Sequence, residues 1–385
     1  MQNFCFLWGK SSNKTMHVFV VVFIFIVKFL PVVGKCSRIF LHELQWCDYN
    51  YMKAYCSIAI TGATGFIGKA VTQTLSAKFR HNIVAVFGIN DNTKIEIQGR
   101  QYLNKIGYKT VKSDFTKKST IPKMDNVNVV IHLAANTNTS TKDHSVNDEG
   151  TINFFSKLNI DRSTHIIFTG TTAIFSGRID CTKKLTECST PCPTNEYSRS
   201  KLRAEKYLIN LSRKTGCKLT ILRLPTVYGP GARSNSFFEE LKRTIKHGDI
   251  STRLNWQGLS DFVHVLDVAE TIKYFVSNPP TKSRIQIFTL TSEHKTLADV
   301  SKMMHHKMGI KYNPIVLPIT FWKLVKLARL LVPIFEHFTP PSVYNIIWRA
   351  SIISNNVIWC DDRKITMAIK KWKPRKLESS LSDMF

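Results

Sequence analysis

Cysteine is sparse and irregular in this sequence: nine residues, at positions 5, 36, 47, 56, 181, 188, 192, 217 and 360 of 385. An odd, scattered set excludes the dense, even framework of a small disulfide-stapled secreted domain, and reduced thiols are the default reading. Acid is scarce as well. Asp and Glu total 27 against 54 Lys and Arg, a formal surplus of +27 at pH 7. Such a balance favours acidic partners (a phosphate-bearing small molecule, a membrane surface or nucleic acid) without choosing among them. Internal repeats and low-complexity tracts are absent. What is present is globular: 43% hydrophobic and 21% charged residues, values that exclude disorder or a collagen-like architecture for the whole chain. The length suits one large α/β domain or two ordinary ones.

Long apolar runs are also missing, with one near exception. Residues 16–33 read MHVFVVVFIFIVKFLPVV, preceded by Lys10 and Lys14 and interrupted by Lys28. The layout suits a signal or signal-anchor segment, yet the uninterrupted core, Val18 to Val27, is short beside the roughly 20 residues of a membrane span. Met52 is followed directly by KAYCSIAITGATGFIG, as a cytosolic α/β protein would begin its first strand. Residues 1–51 are thus read either as an extension that adds nothing to the fold or as a membrane anchor, with a cleaved signal as a third reading. The chain is expected to be cytoplasmic, with membrane association through 16–33 as the open alternative.

Ser57 to Thr61 is a short apolar run, GATGFIG follows, and a helical pattern runs through Ala70, Val71, Leu75 and Phe79. Strand, glycine turn and helix in this order make a phosphate-binding element. Gly62 permits the tight turn, Gly65 lets backbone approach a pyrophosphate, Gly68 allows close helix packing, and the free N–H groups of the helix start face the anion. Further strands are expected at 82–87, 108–111, 127–133, 164–169 and 218–222, with helices at 146–158 and 198–215 among the segments between them. Apolar strands alternating with helices predict a doubly wound parallel sheet with ligands at the strands' carboxyl ends.

Residues 195–201 read NEYSRSK, placing Tyr197 and Lys201 four apart on one helix face. A nearby ammonium favours the phenolate, which is expected to lower the tyrosine pKa and allow proton exchange with a substrate hydroxyl. The fifth strand ends in FTGTTAIFSG, setting the hydroxyls of Thr171 and Thr172 where the sheet opens.

With these elements in order, the sequence resembles the extended short-chain dehydrogenase/reductase superfamily, in particular the NAD-dependent epimerase/dehydratase family, over about residues 55–295. The resemblance rests on TGATGFIG (61–68), Asp114 of SDF, IHLAA (131–135), VNDEGTINF (146–154), TGTTAIFSG (169–177), YSRSK (197–201), LRLPTVYGPG (222–231) and DFVHVLDVA (261–269). It implies that Tyr197 is the general acid/base and that Lys201 tunes it and holds the nicotinamide ribose. Thr172 would orient the reacting oxygen, with Thr171 as the alternative. It further implies a cofactor site, NAD or NADP, made by Gly62, Thr64, Gly65, Phe66, Ile67, Gly68, Asp114, Phe115, Leu133, Ala134, Ala135 and Pro225 together with Tyr197 and Lys201. The implied chemistry is hydride transfer between nicotinamide C4 and a carbinol carbon, the protein supplying placement and proton traffic.

Two places depart from the pattern. An NAD site usually carries an acid at the end of the second strand, whereas Asp91 comes a few residues late and no Arg or Lys sits there for a 2′-phosphate; the nearness of Asp91 tilts the reading to NAD. Many nucleotide-sugar members have Arg just before Asp261, and here Ser260 stands there. Arg233 and Arg253 could offer a diphosphate clamp or be ordinary surface residues.

Other residues are read as structural. Cys181, Cys188 and Cys192 are loop thiols without metal-site spacing. His132 and His264 are satisfied core histidines, and the adjacent His305 and His306 face apart. FWKLVKLARLLV (321–332) is read as a substrate-domain helix with its apolar side packed, against the rival of a helix lying on an anionic membrane. The cations of 370–376 call for similar caution, and nucleic-acid binding is the weakest use of the charge. The expected organisation is an extension over 1–51, a dinucleotide-binding Rossmann domain over 52–226 rejoined by a strand at 286–291, and a smaller substrate domain over 227–385. The favoured function is an NAD(P)-dependent epimerase or dehydratase of a nucleotide-activated sugar. The alternatives are a carbonyl or sterol-like reductase and a non-catalytic dinucleotide-binding redox sensor; a homodimer is compatible with all three.

Overall fold

Ile58–Thr61 (β1) is buried at every position, with no polar alternation, as a strand covered on both faces requires. The same holds for Val129–His132 (β4) and His165–Thr171 (β5). The computed structural model describes residues 57–385, apart from 80–82, 88–93, 179–182, 332–333, 335–337 and 356. The expected anchor at 16–33, Asp91 and Cys181 therefore lie outside the described residues. Among the described residues no helix is long and apolar enough to cross a membrane.

The main sheet is seven-stranded in the order β3-β2-β1-β4-β5-β6-β9, with Ile83–Phe87 as β2, Lys109–Lys112 as β3, Lys218–Leu224 as β6 and Ile285–Thr289 as β9. Every neighbouring pair is parallel. This is the doubly wound Rossmann sheet expected from the alternation of strands and helices. The strand order reverses between β1 and β4, so a crevice opens at their carboxyl ends, where Gly62 and Leu133 stand. β9 joins β6 in parallel, Leu222 opposite Phe288. Residues 57–385 cohere as one unit.

Helices cover both faces. Phe66–Phe79 (α1) packs on Val265–Ser277 (α6); Lys94–Lys105 (α2) and Glu149–Phe155 (α3) follow β2 and β4. Glu196–Thr215 (α4) lies between β5 and β6. It starts two residues before the expected 198. Asn195 caps it by accepting from the Ser198 N–H at 2.8 Å, and the Ser198 hydroxyl returns the contact to the Asn195 backbone. Gly216, at φ 74°, ends it. One core gathers Phe115, Phe154, Phe168, Leu208 and Leu219.

A second layer begins at Thr226–Tyr228 (β7), which runs parallel to Leu259–His264 (β8), itself antiparallel to Glu293–Thr296 (β10). Phe237–Lys246 (α5) and Leu297–Lys307 (α7) close a core around Tyr228, Phe238, Phe262 and Leu297, completed by Leu377 and Leu381 from the chain's end. The basic run near that end is partly structural: Arg375 pairs with Asp267 and donates its N–H to the same carboxylate at 2.8 Å. Ile319–Ala328 (α8) contradicts the packed-helix expectation. Among its described side chains Trp322 alone is buried, its ring 5.4 Å from that of Trp256, while Phe321, Leu324 and Leu327 face solvent. Pro341–Ile353 (α9) follows, with Tyr344, Trp348 and Ile352 inward.

Candidate active site

The turn after β1 shows why Gly62 and Gly68 are needed. Gly62 sits at φ 67°, where a side chain is strained, and a Cβ there would come within 2.8 Å of the Ala134 backbone nitrogen. At Gly68 a Cβ would lie 2.1 Å from the Gly62 carbonyl oxygen, so the helix can cross the turn only without a side chain. Gly62, Gly65, Phe66, Ile67 and Gly68 form one wall of a cleft of about 610 Å³.

Other elements supply the remaining walls. Leu133 and Ala135 come from the end of β4, Thr171 and Thr172 from the end of β5, Tyr197 and Lys201 from the first turns of α4, and Pro225 from the end of β6. Four of the expected residues stand behind the wall. Thr64 is buried under the turn, and the Ala134 N–H is held by the Thr61 hydroxyl at 3.2 Å. Phe115 packs edge-on against Phe154 in the core. The Asp114 carboxylate accepts from the Thr116 N–H and hydroxyl at 3.0 and 2.6 Å. Arg233 and Ser260 line the cleft, whereas Arg253 is used through its backbone, its carbonyl accepting from Ile315 N–H at 2.8 Å.

Tyr197 and Lys201 meet on one cleft wall as the spacing predicts, but their electrostatics differ from the expectation. Burial raises the Tyr197 pKa above its ordinary value, and the opposing influence is a hydrogen bond with the Thr171 hydroxyl, not the lysine. Burial likewise lowers Lys201 to about 7, countered by the charge of Glu205 one turn on. Its ammonium stands 4.2 Å over the Phe168 ring. A cation that is itself half discharged near neutrality, lying over an aromatic face, does not pull the phenol down. The structure also sets Thr171, rather than Thr172, against the phenol; the Thr172 hydroxyl turns to the Leu224 carbonyl at 3.5 Å.

The histidines divide. His132 bridges the hydroxyls of Thr61 and Thr151 at 2.8 and 2.9 Å, and burial, then the Lys201 charge, lowers it to about 3, so it is neutral and structural. His264 is only half satisfied: Nδ1 caps α6 by accepting from Leu266 N–H, while Nε2 is buried without a hydrogen-bond partner. His305 is buried on the Ser301 carbonyl and His306 exposed, facing apart as expected. Among the described residues no cluster of His, Cys, Asp or Glu could hold a metal.

Sequence reasoning missed three features. His144 packs its ring 5.7 Å from that of Tyr197. Asn147 accepts from the Asn136 N–H at 2.7 Å and donates to Ser200 at 3.0 Å, tying the loop after β4 to α4. From the far end of the chain, Tyr344 and Trp348 donate to Thr194 at 2.7 and 2.8 Å, clamping the residue before the α4 cap, and Trp348 with Arg349 lines the cleft. Asn147 lies within VNDEGTINF, so its neighbourhood was marked; nothing local marks the others.

The donor set fits an anionic dinucleotide. α1 has no acid in its first turn, its N-terminal residues line the cleft, and a Cβ at Gly62 or Gly68 would fill the cradle.

Residues 58–289 match the model of the NAD dependent epimerase/dehydratase family. The chain is 26% identical over 255 residues to a UDP-glucose 4-epimerase of Vibrio cholerae, which spans 62% of this chain and 71% of the relative. Among solved structures it resembles a dTDP-glucose 4,6-dehydratase of Bacillus anthracis in complex with NAD (TM-score 0.60, 14% identity, 86% of this chain and 95% of the other). It also resembles a Thermus thermophilus UDP-glucose 4-epimerase complex with NAD (TM-score 0.59, 19% identity, 85% and 97%). At these identities the structural matches establish the fold.

Proposed function

The chain belongs to the NAD dependent epimerase/dehydratase family, and from that premise we propose that it is an NAD-dependent epimerase or dehydratase acting on a nucleotide-activated sugar. The observation that carries the reading is the convergence on one cleft of the glycine turn, the β5-end threonines, and a half-buried tyrosine one helical turn from a buried lysine. The curated relative named above acts on such a sugar.

In this reading the Gly62–Gly68 turn and the α1 N-terminus hold the pyrophosphate, Leu133, Ala135 and Pro225 flank the cofactor, and Lys201 meets its ribose. The bound cofactor supplies a reversible redox step. Tyr197 holds and moves the proton at its phenol oxygen, with the Thr171 hydroxyl steadying that oxygen and Thr172 offering a second hydroxyl to the sugar. The phenol lies on the cleft wall, half-buried, where a bound substrate would cover it and take up its proton exchange. Residues up to 226 serve the dinucleotide and those beyond it mainly the substrate, with Arg233, Ser260 and Trp348 on the substrate side. Desolvation favours the neutral forms of Tyr197 and Lys201, so an anionic ligand that recharges Lys201 would also bring the phenol toward its working range.

Turnover of UDP-hexoses and dTDP-hexoses by the wild type and Tyr197→Phe tests the proposal. A positioned acid/base contributes about 10²–10⁴-fold, so the variant is expected to lose at least that much while still binding NAD, and the wild type to form product without net consumption of cofactor. A variant within about tenfold of wild type would remove Tyr197 from the mechanism. One NAD(P)H consumed per product would make the protein a reductase instead.

A further inference from the structure

We propose that α8, with the exposed apolar residues that flank it, forms a platform that seats the protein on an anionic phospholipid surface. The observation is the direction in which these apolar residues point. Phe321, Leu324, Leu327 and Leu331 recur at the spacing of one helical face, and Leu324 and Leu327 are 67% and 64% exposed. Ile319 and Val316 precede them and Ile334 and Phe338 follow, all exposed, with Phe338 at 82%. On α9 the inward side carries Tyr344 and Trp348, and the opposite side leaves Val343 and Ile346 in water. A soluble monomer scatters such residues singly, and a contiguous stripe of this kind marks an interaction surface.

Charge selects the occupant. From Gly309 to Leu331 the sequence holds four cations, Lys311, Lys323, Lys326 and Arg329, and no acid, while Arg349 of α9 turns to the cleft and pairs with Glu240. Lys323 is exposed between Phe321 and Leu324. A second copy packed across a two-fold axis would bring these cations against themselves with too few carboxylates to answer them. An anionic bilayer interface answers both features: headgroups meet the lysines while Phe and Leu enter the acyl boundary, the arrangement of an interfacial amphipathic helix. No described helix is long enough to span, so the contact is one of lying on the surface.

The platform is joined to the cleft. Trp322 leaves the α8 face to contact Trp256, which lines the cleft, and α9 carries Trp348 and Arg349 on its cleft side. Seating α8 on a membrane thus holds the substrate end of the site at that surface.

The experiment is flotation of the full chain with vesicles of phosphatidylcholine, alone or mixed with phosphatidylglycerol, for wild type, Leu324→Glu/Leu327→Glu and Lys323→Glu. Wild type is expected to float with the mixed vesicles and to be released by raised salt. The double variant should lose at least about tenfold in binding, since two leucine side chains are withdrawn from the acyl boundary. Lys323→Glu should lose affinity for the mixed vesicles only. The milder Leu324→Ser gives the same direction if the double variant precipitates. The proposal is overturned if wild type stays with the unbound fraction, or if the leucine variants float as well as wild type, which would move the contact to another segment such as 16–33. It is equally overturned if those variants change only the mass measured by light scattering, which would make the face a contact between copies.

Discussion

Burial moves the Lys201 ammonium from its ordinary value of 10.5 to about 7. The shift is a statement about folding as well as chemistry. Between these two values the unfolded chain holds a proton that the folded chain has released, so the lysine's contribution to stability improves as pH rises from about 7 to 10.5 and is least favourable below 7. Lys201→Met removes that burden. The variant should be more stable than wild type at pH 7 by on the order of a few kcal/mol, because each pKa unit corresponds to about 1.4 kcal/mol. The gap should narrow by pH 9.5. Urea unfolding at the two pH values reads both signs, and a variant less stable at pH 7 would mean that attraction to Glu205 outweighs the loss of hydration. Activity is expected to move the opposite way, as at sites where function is held at a cost in stability.

The helix that presents Tyr197 and Lys201 is fixed from beneath by an ion pair. Arg223 of β6 reaches Glu205 of α4 with two contacts, 2.5 and 3.2 Å, both side chains almost wholly buried, and donates also to the Glu187 carbonyl at 3.0 Å. Arg223→Met removes the hydrogen-bonded partner of the buried Glu205 carboxylate, leaving it only the partly discharged Lys201 nearby, and should cost about 3–5 kcal/mol; the double variant Arg223→Met/Glu205→Met should recover most of it. A double variant as unstable as the single one would show that the arginine's contact with Glu187, rather than the pair, sets the cost. Sequence reasoning located α4 and its two polar residues but not this support. The strands β1, β4, β5 and β6 were legible because a parallel sheet covered on both faces writes continuous apolar runs. The Tyr-x-x-x-Lys spacing was legible because four residues make one helical turn. The small sheet was not: β7 has three residues, and β10 reads EHKT, polar throughout. The α9 clamp on Thr194 joins residues 150 and 154 positions apart, and no local pattern encodes such a meeting. The pKa of Tyr197 was misjudged for a related reason: spacing gives the neighbour, while burial, the larger influence here, belongs to the folded surroundings.

Across the whole molecule, the end of the chain completes the core that shapes the cleft. Leu377 and Leu381 are fully buried against Tyr228, Phe238 and Phe262, and Phe262 lines the site. Polar ties hold the same arm in place: Arg375 on Asp267, the Leu377 N–H on Glu293, and Tyr228 sharing a 2.9 Å hydrogen bond with Ser380. Arg375 is partly exposed, and its ion pair is screened and contributes modestly; the leucines carry the arm. Leu377→Ala should therefore destabilise by about 2–5 kcal/mol, the span for a buried leucine whose cavity cannot close fully. Because the cavity opens behind Phe262 and not behind α4, the expected kinetic effect is a raised KM for the proposed sugar-nucleotide substrate with kcat nearly unchanged. Steady-state kinetics beside thermal unfolding separates the two contributions. A fall in kcat equal to that in kcat/KM would place the arm's influence on the reacting groups, and so on α4, instead of on the substrate wall.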